Sequence, residues 1–153
     1  MGKITKRNFS SKDFEDMKIK LTERFGKEAN DNDIIWGLLN QKLIKSHSLH
    51  DQKMVHWEMA RFLFEEGKNP NKMLKEVSKY QLRKFKDSGL KMKVRIDCAG
   101  SKNNSCKECQ KLNDKIYTIK KALEDMPLPC KNCTYDTNKN GFSWCRCMWV
   151  AEI

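Results

Sequence analysis

Cys106-Lys107-Glu108-Cys109, Cys130-Lys131-Asn132-Cys133 and Cys145-Arg146-Cys147 decide how this chain is read. A gap of two residues lets both thiolates of a reversing turn face one ion. Two such pairs with 20 residues between them have the spacing of a four-thiolate structural zinc site. Zinc suits soft thiolates in a tetrahedron and needs no redox chemistry. Three ligand sets stay open at this level. One is Cys106, Cys109, Cys130 and Cys133; another is Cys106 and Cys109 with ligands drawn from Cys133, Cys145 and Cys147; the third places six thiolates around two ions. Both single-ion sets use Cys106 and Cys109.

All seven cysteines fall in the last 56 residues, and the count is odd. The basic opening stretch, Met1 to Arg7, lacks the apolar run of a signal peptide. An odd cluster of thiols without a secretion signal points to metal rather than to a disulfide framework, and to the cytoplasm. A thioredoxin-type redox pair opens a helix within an α/β pattern, a setting that neither two-residue pair has here.

Working outward from the cysteines, residues 91–98 alternate. Met92, Val94, Ile96 and Cys98 face one way, and Lys91, Lys93, Arg95 and Asp97 the other, which predicts a half-buried strand. Cys98 on that apolar face reads as a small core residue. Ile116-Tyr117 predicts a second short strand, followed by a helix over 119–124 capped by Thr118; Pro127 and Pro129 exclude its continuation. Residues 144–150 predict a third strand, with Trp144 and Trp149 shielding the metal site.

Before Gly89 the apolar spacing is helical. A first helix follows Ser10 or Ser11, with Phe14, Met17, Leu21 and Phe25 on one face and Gly26 as its stop. A second starts near Asp31 and Asp33 with Ile35, Leu38, Leu39 and Leu43 inward. The third, over 51–66, carries Met54, Trp57 and Phe64 beside Val55, Met59 and Phe62. The fourth has Asn69 as cap, Pro70 at the first helical position and Gly89 beyond its end. Trp36 and Trp57 read as core. His47, His50 and His56 gather near the junction of the second and third helices in loop and cap roles. The expected fold is therefore α+β: a bundle of about four helices over 1–89, then a small zinc-stabilised antiparallel sheet module over 90–153, the two forming one compact unit.

One resemblance is carried by the order Cys106-x-x-Cys109, Leu112-Asn113-Asp114-Lys115, Pro127-Leu128-Pro129 and Cys145-Arg146-Cys147. Residues 94–150 thereby resemble the C-terminal module of phage Mu F-like minor head (head morphogenesis) proteins. That module has a cysteine pair, a Leu-x-Gly-Lys-like turn, a proline-rich stretch with a histidine, and a closing Cys-Arg-Cys. Here Asp114 stands where glycine is usual, and no histidine precedes the closing pair; Cys130 or Cys133 would replace it. The helical part carries no such resemblance. What the resemblance implies is a related zinc module, a phage or prophage origin in a bacterial cell or infected host, and a structural or accessory role exercised through protein contacts.

Charge points to a partner. The formal net charge is +11 over 153 residues, a field that attracts polyanions. Nine basic and two acidic residues lie between Lys72 and Arg95. Lys72, Lys75, Lys79, Arg83 and Lys86 recur at helical spacing as one stripe, and Lys91, Lys93 and Arg95 extend it along the strand. Such a stripe suits phosphates, giving salt-sensitive binding without sequence preference, or an acidic protein surface. No apolar run approaches the length of a membrane span. No phosphate-binding glycine loop or nucleophile elbow occurs. The expectation is a non-catalytic zinc-stabilised binding protein with no catalytic residues; a zinc-scaffolded nuclease using Asp97 or Asp114 is the enzymatic alternative.

Overall fold

The computed structural model describes residues 7–98 and 104–153. The basic opening stretch, residues 1–6, lies outside them.

Four helices come first: α1 (Ser11–Phe25), α2 (Asp31–Lys45), α3 (Leu49–Glu65) and α4 (Asn71–Asp87). Each start is set by side-chain chemistry. Ser10 accepts from the Asp13 amide while the Asp13 carboxylate accepts from the Ser10 amide, a reciprocal capping box. Asn30 accepts from Asp33 N at 2.9 Å, and Ser48 from Asp51 N at 3.0 Å. The Ser48 cap starts α3 two residues earlier than the sequence pattern predicts, at Leu49 rather than 51. The α4 start differs by one residue: Pro70 precedes the helix, and Asn69 Oδ1 accepts from Asn71 N at 2.9 Å. Gly26 ends α1 at φ 66°, and Gly89 follows α4 at φ 70°.

The expected apolar stripes hold with adjustments. Met17 (α1) packs with Ile34 and Leu38 (α2); Ile35 and Leu39 (α2) pack with Val55, Met59 and Phe62 (α3). Phe25, expected in the α1 stripe, is 60% exposed beneath the Arg24 guanidinium in the last turn. Met54 is also exposed, because the buried side of α3 runs through Val55, His56, Met59, Ala60 and Phe62. His56 belongs to that buried face rather than to a loop: its Nδ1 lies 2.9 Å from the Gln52 carbonyl and its ring packs on Tyr80.

After α4 come β1 (Lys93–Asp97), α5 (Lys107–Gln110), β2 (Ile116–Thr118), α6 (Ile119–Asp125) and β3 (Met148–Glu152). The strands form an antiparallel sheet in the order β2-β1-β3. The fold is α+β, as expected, with the helices before the sheet. The third strand runs later than the predicted 144–150. Trp144 is drawn off the ladder by edge-on packing against Trp57 and Phe64, with centroids 5.9 and 5.6 Å away. Val94 and Ile96 are fully buried on the inner sheet face, where Leu82, Ala122, Leu128 and Trp149 join the cysteines in one core.

Helix α4 joins the two halves. Its Leu82 lies in the sheet-side core, and Trp149 Nε1 donates to Ser78 Oγ at 2.7 Å. A second tie crosses at the end of α3, where Asn138 Nδ2 donates to Phe64 O and Asn140 Nδ2 to Gly67 O. No helix among the described residues is long and apolar enough to cross a membrane.

Candidate metal centre

The clustered cysteines come from the short helix α5 with its N-cap and from the long segment between α6 and β3. Cys106 is the N-cap of α5, so its Sγ accepts the Cys109 amide at 3.4 Å; the Thr134 amide donates to the same sulfur at 3.4 Å. The turn closed by Cys133 N donating to Cys130 O at 3.2 Å brings up the second pair. The closing Cys145-Arg146-Cys147 lies just before β3, whose pairing fixes its position.

Two trios of thiols form in this way: Cys106, Cys109 and Cys133, and Cys109, Cys145 and Cys147. Within each trio the sulfurs all lie within 4.8 Å of one another, and Cys109 belongs to both. The Cys109 and Cys145 sulfurs are 3.9 Å apart. Thiolates about 2.3 Å from a tetrahedral zinc ion are separated by roughly 3.8 Å, so that spacing fits one edge of such a site. All seven cysteines are free thiols. Cys130 is outside both trios, yet its amide donates to Cys145 Sγ at 3.4 Å and it lies buried in the same core. The cysteines are therefore positioned to bind a metal ion.

Electrostatics fits the same purpose. Burial alone would push the Cys106 thiol up, but the Thr134 and Cys109 amides hold it down at about 6. Hydrogen bonds from the Cys133 and Cys147 thiols, with the Cys130 and Cys147 amides, lower Cys145 well below an ordinary thiol. Its neighbours move the other way. Burial and then the Cys145 charge raise Cys109, while the Cys145 interaction itself raises Cys133 and Cys147. Crowded thiols cannot all ionise alone; a divalent cation removes that conflict. A four-coordinate ion held by four thiolates keeps no position for water, which suits a structural role.

Cys98, read from the sequence as core, is buried and also touches the cluster. Its Sγ donates to the Cys109 carbonyl at 3.1 Å. Pattern alone showed its inward direction; only the fold shows what stands opposite.

The basic residues divide into two groups. Lys72, Lys75, Lys86, Lys91 and Lys93 are exposed, as is Lys84, and none of their ammonium groups has an ion-pair or hydrogen-bond partner among the described residues. Lys79 is half-buried and bonds Glu76 at 2.6 Å, and the exposed Arg83 lies over the Tyr80 ring. Arg95 is held between Asp114 at 2.7 Å and Glu152 at 3.1 Å, so its charge is already matched. Asp114, a carboxylate of the nuclease alternative, is occupied by that pair. Among the described residues, the groupings able to hold a metal contain cysteine alone. Trp149 is buried in the same core as the cysteines, with Tyr117 edge-on against it at 5.5 Å, whereas Trp144 packs on Trp57 and Phe64 of the helical part.

No family model matches this chain, and comparison with curated proteins and with solved structures gives no match either.

Proposed function

We propose that this chain is a non-catalytic binding protein, stabilised by zinc, whose exposed face on α4 engages the phosphates of nucleic acid. The observation that carries the reading is the row of unpaired cations on a helix fixed at both cores. Lys72 and Lys75 near its start, Lys84 and Lys86 near its end, and Lys91 and Lys93 beyond it all stand exposed. An anchored helix presents these charges without the ordering cost of a mobile tail. Zinc is the ion of choice because the donors are thiolates and the centre needs no redox chemistry.

Replacing Lys72, Lys75 and Arg83 together with Glu tests the reading, with binding followed by fluorescence anisotropy on duplex DNA and RNA. Loss of three phosphate contacts should reduce the slope of log K against log salt by about 2.7 for duplex DNA. The melting temperature should stay close to that of the parent, because all three side chains are exposed. Unchanged affinity and salt slope would sink the proposal. Loss of binding to an acidic protein, with no nucleic-acid affinity in the parent, would move the reading to that partner.

A second reading, a phage or prophage accessory protein, is favoured by one observation. Asp114 occupies the turn position where the resembling head-protein modules carry glycine, and it has φ 63°, a conformation that favours glycine. Its amide donates to Ile96 O at 2.9 Å, closing the turn against β1. Co-purification with capsid components, without salt-dependent nucleic-acid binding, would favour this role.

A further inference from the structure

The thiols outnumber what one ion needs. A tetrahedral site takes four, whereas this core gathers seven free cysteines, five of them in two trios. The trios have a single member in common. Two tetrahedral ions offer eight positions, and sharing one thiolate reduces the ligands required to seven.

We propose that the seven cysteines hold two zinc ions as one cluster, with Cys109 bridging them. Cys106, Cys130 and Cys133 complete the first tetrahedron, and Cys98, Cys145 and Cys147 the second. This rests on the zinc reading above and extends it to the number of ions and the role of every thiol.

Cys109 is the central residue of the arrangement. It is 1% exposed, its thiol meets those of Cys106, Cys133 and Cys147, and its sulfur lies 3.9 Å from that of Cys145. The fourth ligand of each site is already adjacent. The turn closed by Cys133 N donating to Cys130 O at 3.2 Å joins Cys130 to the first trio, and the Cys98 sulfur lies 3.1 Å from the carbonyl of the shared Cys109, in the same buried core. A six-thiolate pair of ions would need two bridges, whereas the trios share only Cys109.

Loading forms eight metal–sulfur bonds, the bridging sulfur counted twice, and releases one proton to solvent for each of the seven cysteines that is still protonated, with no change of oxidation state. Four positive charges against seven thiolates leave a charge of −3. Amides of Cys109 and Thr134 on Cys106, and of Cys130 on Cys145, help to neutralise it, within a chain whose formal charge is +11.

The test is native mass spectrometry of the full chain purified from zinc-supplemented medium, beside its Cys98→Ser variant. Two zinc ions in the parent and one in the variant are expected. One ion in the parent leaves the zinc-stabilised reading standing and overturns the cluster; none overturns both. Two ions in the variant remove Cys98 from the ligand set and overturn the seven-thiolate arrangement. Should Cys98→Ser fail to fold, cadmium-loaded parent protein decides by NMR. Two cadmium resonances both coupled to the Cys109 β-protons support the bridge, and coupling to only one of them overturns it.

Discussion

Ser78→Ala is the smallest change that should report on how the helical and cysteine-bearing halves are joined. Ser78 is 5% exposed and accepts the Trp149 indole N–H at 2.7 Å; Trp149 is 3% exposed. Alanine leaves that buried donor without a partner, at a cost of about 1–3 kcal/mol. The better helix propensity of alanine offsets a few tenths of a kcal/mol. At roughly 2–4 °C per kcal/mol for a chain of this size, a 2 kcal/mol loss lowers the melting temperature by roughly 4–8 °C. Trp149→Phe removes the donor and leaves a void where the larger ring stood, while the released Ser78 hydroxyl can turn to a carbonyl of its own helix. The double variant should therefore be less damaged than the two singles added together, by about 1 kcal/mol. Urea unfolding of all four proteins, each at the same excess of zinc, measures the cycle. A Ser78→Ala loss below about 0.5 kcal/mol together with strict additivity would refute the reasoning, because the indole N–H would then have another partner.

Gly67→Ala should cost more than Gly89→Ala. Both glycines have positive φ, 69° and 70°, worth about 1–2 kcal/mol against alanine. At Gly67 the new methyl also meets the Asn140 side chain, whereas nothing lies within 4 Å at Gly89. Equal losses in denaturant melts would contradict the Asn140 tie. Ser10→Ala should lower the melting temperature at neutral pH by removing half of the capping box. The side-chain hydrogen bond from Ser10, then its amide, hold the Asp13 carboxyl below its ordinary value. Its contribution is therefore present above the unfolded carboxylate pKa and lost as pH falls through the lower folded one. Melting curves of parent and variant should converge on acidification through that window; a gap that widens instead would be inconsistent with this sign.

The parts of the molecule written in local chemistry were legible. Caps at Ser10 and Thr118 and stops at Gly26 and Gly89 sit where spacing and residue type place them. So does the inward face of β1, because alternation is a short-range signal. Boundaries moved where a distant side chain competes with the local pattern. Trp144 leaves the expected strand for Trp57 and Phe64, residues far away in sequence. α5 was missed because one turn of helix inside a cysteine knuckle has no periodicity to read. The cysteine spacing announced a metal centre without ranking its ligands. Cys98 has no motif partner, and its approach to the Cys109 carbonyl is set by the fold rather than by any spacing. The basic stripe was visible as a row, but the ion pairs that occupy Arg95 and Lys79 were not, since their partners are set by fold and rotamer.

The span between Leu82 and the Trp149 that shares its core also sets a clock during synthesis. The 67 residues separating them take roughly 3–13 s to be made at about 5–20 residues per second. For that interval the sheet-facing side of α4 lacks the Trp149 that completes its cover, and β1 waits for β3. The first thiol trio is complete once Cys133 has been added, but the second only with Cys147, 14 residues later. A nascent chain therefore contains all three cysteines of one trio before the strand that secures the sheet exists, and the interval between the two is fixed by the order of the sequence itself.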